Sequence, residues 1–93
     1  MKNVYELTDE ELEDCVDGST NIEMLKDILK KPNVVGEEGF IDLEEFGQWF
    51  AYGLEGYIDA EEGTDEWDAA YENNQAWGED IADNINEYIQ ENE

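Results

Sequence analysis

The chain has 93 residues, of which 28 are Asp or Glu and four are Lys (Lys2, Lys26, Lys30 and Lys31), with no Arg and no His, so its formal charge is −24. That length makes one small acidic domain, residues 1–93, with a modest core, and self-repulsion on this scale works against compaction. The charge excludes nucleic acid and anionic lipid as direct partners, because both would be repelled, and points to a partner that is positive.

Leu, Ile, Val and Phe sum to 20 of the 93 residues, barely above the roughly 20% below which a highly charged chain is expected to stay disordered. Three Trp and five Tyr tip the balance toward folding. The lone Cys15 permits no intramolecular disulfide, and its chemistry fits a reducing cytoplasm better than secretion. No apolar run approaches a membrane span, and "MKNVYELTDEE" lacks the apolar segment of a signal peptide.

In chain order, "LTDEEL" carries a complete helix start: Thr8 and Glu11 form a capping box and Leu7 staples against Leu12, predicting a first helix over about 9–17. "DGSTNIE" breaks and restarts the chain, with Thr20 and Glu23 as a second capping box. Ile22, Leu25, Ile28 and Leu29 recur at helical spacing until Pro32 ends the run, and Lys26, Lys30 and Lys31 complement the negative end of that helix dipole. Beyond Lys31 the remaining 62 residues contain 19 acids and no base. "VVGEEGFI" can form a short hairpin over 34–41, Val34 and Val35 against Phe40 and Ile41. Asp42 and Glu45 make a third capping box, after which Leu43, Phe46, Phe50, Leu54 and Tyr57 trace one stripe. Gly47, Gly53 and Gly56 make this helix short, bent or closely packed. Thr64 opens the last and longest helix. The expected fold is mainly α: a small compact bundle of about four helices, with the 34–41 hairpin as an optional addition.

On the last helix, Trp67, Tyr71, Asn74, Gly78, Ile81, Ile85 and Tyr88 form the expected packing face. Asp65, Asp68, Glu72, Glu79, Asp83 and Glu87 cluster roughly 150° away at 100° per residue, an acidic ridge about 33 Å long at 1.5 Å per residue. A domain of this size has a radius of gyration near 12 Å and a diameter of roughly 32 Å. Duplex DNA of that length carries about 19 charges, close in amount to the net charge of this chain.

Small size, extreme acidity, scarcity of bases and aromatics interleaved with acids, as in "EWDAAYENNQAWGED" and "EEFGQWFAYGLEGY", give the chain a resemblance to the DNA-mimic inhibitors of phages and mobile elements, the anti-restriction and anti-CRISPR proteins. The class shares chemistry without a motif. The resemblance implies occlusion: carboxylates fill the cationic groove of a DNA-processing or defence protein and keep nucleic acid out. Asp65, Asp68, Glu72, Glu79, Asp83 and Glu87 are the candidate contacts, and Trp49, Tyr52 and Trp77, which lie off the stripe centres, are the candidate hot spots.

Other readings stand beside this one. A charge run is ordinarily a solvated face, and halophilic adaptation also gives acidic surfaces, although eight Asn and seven Ile against six Ala suggest an ordinary low-GC host. An acidic immunity protein or antitoxin neutralising a basic toxin is the main alternative; "YELTDEELEDCV" is broadly similar to the opening helix of nuclease immunity proteins. An acidic adaptor for a cationic protein is a third. "EEGFIDLEEF" resembles the second half of an EF-hand loop, with Gly39 sixth and Glu45 twelfth, but Val34 and Gly36 would take the first and third positions without a side-chain oxygen. Loose divalent-cation association is therefore expected, and no dedicated metal or cofactor site. Catalysis is not expected: acidic neighbours raise the Cys15 thiol pKa, and no carboxylate pair stands out. An apolar strip left over from so small a core would permit a homodimer.

Overall fold

The computed structural model describes residues 4–16 and 20–91. Among the described residues, four α-helices form a small mainly α bundle: α1 (Asp9–Val16), α2 (Ile22–Leu29), α3 (Leu43–Leu54) and α4 (Asp65–Glu91), with 3-10 turns at Val4–Glu6 and Glu55–Tyr57. Asp17, Gly18 and Ser19, the expected end of the first helix and its break, lie outside the described residues, as does Lys2. Among the described residues no helix is long and apolar enough to cross a membrane.

The helix starts follow local chemistry. The Thr8 N–H donates to Glu11 Oε1 at 3.0 Å and the Glu11 N–H to Thr8 Oγ1 at 3.2 Å, a full capping box, with Leu7 and Leu12 both in the core. Asp42 Oδ1 accepts from the Glu45 N–H at 3.1 Å, and Thr64 Oγ1 from the Trp67 N–H at 3.2 Å. The second cap differs from expectation. Asn21, not Thr20, caps α2, its Oδ1 accepting from the N–H groups of Glu23 and Met24. An Asn cap one residue later makes Ile22 the first helical residue, while the Thr20 hydroxyl is buried with no partner among the described residues.

The expected hairpin reduces to one antiparallel bridge, Val35 to Ile41. The bonds flanking it run from the Gly36 N–H to Phe40 O at 2.9 Å and from the Asp42 N–H to Val34 O at 2.7 Å. Gly39 turns this loop at a φ of 89°, a conformation open to glycine without strain. Val35 and Ile41 are thus a non-hydrogen-bonded pair, whose own peptide groups point away from each other. Asn86 of α4 meets those of Ile41: its Oδ1 accepts from the Ile41 N–H at 2.8 Å and its Nδ2 donates to Ile41 O at 2.9 Å. The side-chain amide acts as a third strand one residue long.

α3 lies antiparallel along α4, since Ile41 neighbours Asn86 near one end while Phe50 meets Trp77 edge-on, centroids 5.1 Å apart, nearer the other. The crossing is made by two glycines. A Cβ on Gly78 would sit 2.7 Å from Phe50 Cβ and 3.0 Å from Gly47 Cα, and one on Gly47 would sit 2.8 Å from both Gln75 O and Glu79 Cγ. The close-packing option for these glycines therefore holds at Gly47.

Two stripes shift. Leu54 is half-buried and Tyr57 is 83% exposed, because the chain tightens from α-helix to 3-10 turn after Leu54 and three residues per turn carry Tyr57 off the α-helical stripe. On α4 the buried residues are Gly78, Ile81, Ala82, Ile85, Asn86 and Ile89, whereas Trp67, Tyr71, Asn74 and Tyr88 are half-buried. α4 packs against α3, α1 and the Val4–Glu6 turn, and in its second half Tyr88 reaches Glu11 of α1 while Asn86 reaches Ile41, which widens the buried arc beyond the stripe facing one neighbour. The body measures 44 × 25 × 19 Å with a radius of gyration of 13.6 Å, longer than the near-sphere expected from chain length.

Candidate protein-binding surface

The ridge residues fall on α4 as the spacing predicts, with one qualification from packing. Asp65, Asp68, Glu72, Asp83 and Glu87 are exposed, while Glu79 is half-buried, because its Cγ lies against Gly47 at the helix crossing. The six form two triplets, 65/68/72 and 79/83/87. Within each, neighbours are about 4.5–6 Å apart along the axis, and the triplets are separated by about 10.5 Å, where Gln75 and Gly78 contact α3.

The described lysines lie elsewhere, on and just after α2. Lys26 pairs with Asp9 at 2.5 Å, binding α2 to α1, and that hydrogen bond, followed by the Asp9 and Glu23 charges, raises its pKa. Lys31 places its Nζ 5.1 Å from the centroid of the Trp49 ring, a cation–π contact. From Pro32 onward no base is present to offset the acids of α3 and α4.

The three candidate hot spots separate into two places. Tyr52 is 63% exposed and stands edge-on to half-buried Trp49, centroids 5.9 Å apart at 83°. Trp77, 39% exposed, packs its ring edge-on against Phe50 and lines a different groove with Met24, Leu54 and Tyr57. Two residues missed as surface residues complete the first place. Tyr71, expected in the packing stripe, is half-buried, stacks on Trp67 at 5.3 Å and 20°, and faces Trp49 and Tyr52 across a pocket of about 410 Å³. Glu45, expected as a capping residue, lines the same pocket with Gln48. The four-residue interval from Trp67 to Tyr71 was the available signal for an aromatic pair on one helix face.

Tyr52 also borders a groove against α2, lined by Met24, Asp27, Ile28 and Lys31, and a third pocket with Glu55, Glu62 and Trp67. It is the hub of an aromatic surface rimmed by acids. Tyr71 is followed in sequence by Glu72, so this surface adjoins the first ridge triplet. Aromatic centres with a polar rim are the usual anatomy of a protein interface.

Two titratable groups outside this surface are perturbed. The Tyr88 hydroxyl donates to Glu11 Oε2 at 2.5 Å; that hydrogen bond first, then burial and the charges of Glu11, Cys15 and Asp14, hold its pKa up at about 12. Burial, then Asp14 and Glu11, raise the Cys15 thiol. Among the described residues no group of three or more His, Cys, Asp or Glu is arranged to hold a metal ion. Val34, the first position of the EF-hand-like register, is fully buried and its carbonyl accepts from Asp42. No protein family, curated protein or solved structure matches the chain.

Proposed function

We propose that the protein is a nucleic-acid mimic: a binding module, not an enzyme, that fills the cationic groove of a nucleic-acid-binding protein in the bacterial cytoplasm and excludes the polynucleotide. The anti-restriction and anti-CRISPR inhibitors are the nearest functional analogy. The observation that carries this reading is the amount of unneutralised charge in relation to shape. A net −24 is borne on a body 44 Å long, and duplex DNA of that length carries about 26 phosphate charges. Six of the acids stand in two triplets on α4, in a segment of chain without a base. A groove built to accept a polyanion would gain with this surface the attraction it gains with DNA, and steering between opposite potentials speeds association.

The test is displacement. Proteins of a bacterial lysate retained on duplex-DNA resin are eluted with the purified protein, and each released protein is assayed for binding to both. The expected result is mutually exclusive binding that weakens with added salt. Replacing Asp68, Glu72, Glu79 and Asp83 together by Asn or Gln should slow association by about tenfold or more and change dissociation little. A released protein that holds DNA and this chain at once overturns the reading, as does an unchanged association rate in the fourfold variant.

A further inference from the structure

The pocket between α3 and α4 outside Trp49 has a chemistry that the ridge does not account for. Trp49 and Tyr52 meet nearly at a right angle, 83° with centroids 5.9 Å apart, and so form two walls of a corner. Tyr71, steadied by its stack on Trp67, supplies a third wall, and Glu45 contributes a carboxylate beside Gln48. Aromatic faces carry negative electrostatic potential, so walls of this kind attract cations. The Trp49 ring already receives Lys31 Nζ at 5.1 Å on the flank it shares with α2, where Lys31 lines the neighbouring groove. Lys31 does not line the pocket on the Tyr71 side.

We infer that this pocket receives an arginine side chain of the protein partner, its guanidinium stacked on the aromatic walls and ion-paired to Glu45. The inference rests on the proposed cationic partner and adds a specific anchor to it. Arginine is favoured over lysine because its planar group stacks on rings, presents a fork matching a carboxylate, and sheds water more easily. An apolar occupant would cover the Glu45 carboxylate without an opposite charge, which is costly. A second copy of this chain is disfavoured because it would bring another −24 against the same face.

The probe is N-acetyl-arginine methylamide, titrated to tens of millimolar at fixed ionic strength into the nitrogen-15-labelled protein, with its uncharged citrulline counterpart and the lysine analogue as comparisons. Saturable movement of the Trp49 indole N–H is expected, with the Trp77 indole unmoved, and the citrulline compound should bind roughly tenfold more weakly or worse. Tyr52→Ala and Glu45→Gln should each weaken arginine binding by about tenfold; Tyr52 is exposed and the second change keeps side-chain shape, so the fold is retained. No saturable shift, citrulline binding equal to arginine, lysine binding more tightly, or variants that titrate like the parent each overturn the inference. Displacement of DNA-bound proteins with a silent pocket would leave occlusion standing without the anchor. An arginine-binding pocket without displacement would remove occlusion and leave the pocket.

Discussion

Asn86 offers the sharpest test of how the core is held. Its amide makes two hydrogen bonds to the peptide groups of Ile41, at 2.8 and 2.9 Å, and Ile41 is 4% exposed, so neither group has water as a replacement. Asn86→Ala removes both partners. At about 1–3 kcal/mol for each buried group left unsatisfied, the loss should be about 3–4 kcal/mol. A domain of this length has roughly 5–14 kcal/mol in total, with self-repulsion working against it. In urea, with a slope of about 1 kcal/mol per molar for a small protein, the midpoint should fall by about 3 M. Asn86→Asp separates the two bonds. The ionised carboxylate still accepts from the Ile41 N–H but meets the Ile41 carbonyl oxygen with like charge, whereas the protonated acid can donate to it. The folded state therefore raises the pKa of the new carboxyl above its unfolded value of about 3.9. A raised folded pKa means that stability is lost as pH rises through it and recovered below. Unfolding followed by tryptophan fluorescence should show the deficit of Asn86→Asp relative to the parent shrinking as pH falls from 7.5 toward about 4, the unfolded pKa. A loss under about 1 kcal/mol for Asn86→Ala, or a pH-independent gap for Asn86→Asp, would refute the assignment of Asn86 as a one-residue strand.

Two further expectations concern the glycine crossing and the Tyr88 phenol. Gly78→Ala gains up to about 1 kcal/mol of helix propensity, but its Cβ would stand 2.7 Å from Phe50 Cβ and 3.0 Å from Gly47 Cα. Overpacking against fixed atoms costs about 1–3 kcal/mol, so a net destabilisation of about 1–2 kcal/mol is expected in urea melts. Gly56→Ala, with no atom within 4 Å of the new Cβ, should be neutral or stabilising by about 0.5 kcal/mol. For Tyr88, the pKa of about 12 lies above that of an unfolded tyrosine, about 10. Its contribution is therefore present below pH 10 and lost as pH rises toward 12. Phenolate absorbance in the parent and in Tyr88→Phe should differ by one late-titrating group, and the variant should show a shallower loss of stability over that window.

Much of the fold was legible because the signals that announce it are local. Thr8 with Glu11, Asp42, and Thr64 each bond within three residues, so spacing alone located three of the four helix starts. The fourth failed by one residue where Thr20 and Asn21, two competent caps, stand side by side, and nothing local chooses between them. The α4 stripe was partly misplaced for a different reason. Asn86 is polar and would be assigned to the surface by any hydropathy pattern; it is buried because the peptide of Ile41, 45 residues earlier, needs it. The aromatic surface was half legible. Tyr52 and Trp77 sit off the apolar stripes and are exposed, but Tyr71 lies on a stripe and still lines a pocket, because the side chains that α3 turns toward it, Glu45, Gln48, Trp49 and Tyr52, leave a gap there instead of closing over the ring.

The arrangement of the triplets decides how their charge should act. In physiological salt the screening length is about 8 Å, longer than the 4.5–6 Å rise between neighbours within a triplet and a little shorter than the gap of about 10.5 Å between triplets. Each triplet therefore behaves as one patch of summed potential, and the two patches are only weakly coupled. A single Asn or Gln substitution removes about a third of one patch. The fourfold change takes Asp68 and Glu72 from the first and Glu79 and Asp83 from the second, leaving Asp65 and Glu87 at opposite ends of the ridge. Self-repulsion within each patch is not relieved by Lys26 or Lys31, since Lys26 is held by Asp9 and Lys31 by the Trp49 ring, both on the α2 side. What can relieve it is a cation from outside, whether mobile ions or the side chains of a partner. On this view folding and binding draw on the same repulsion, so conditions that screen it should raise the stability of the free protein while weakening its complex.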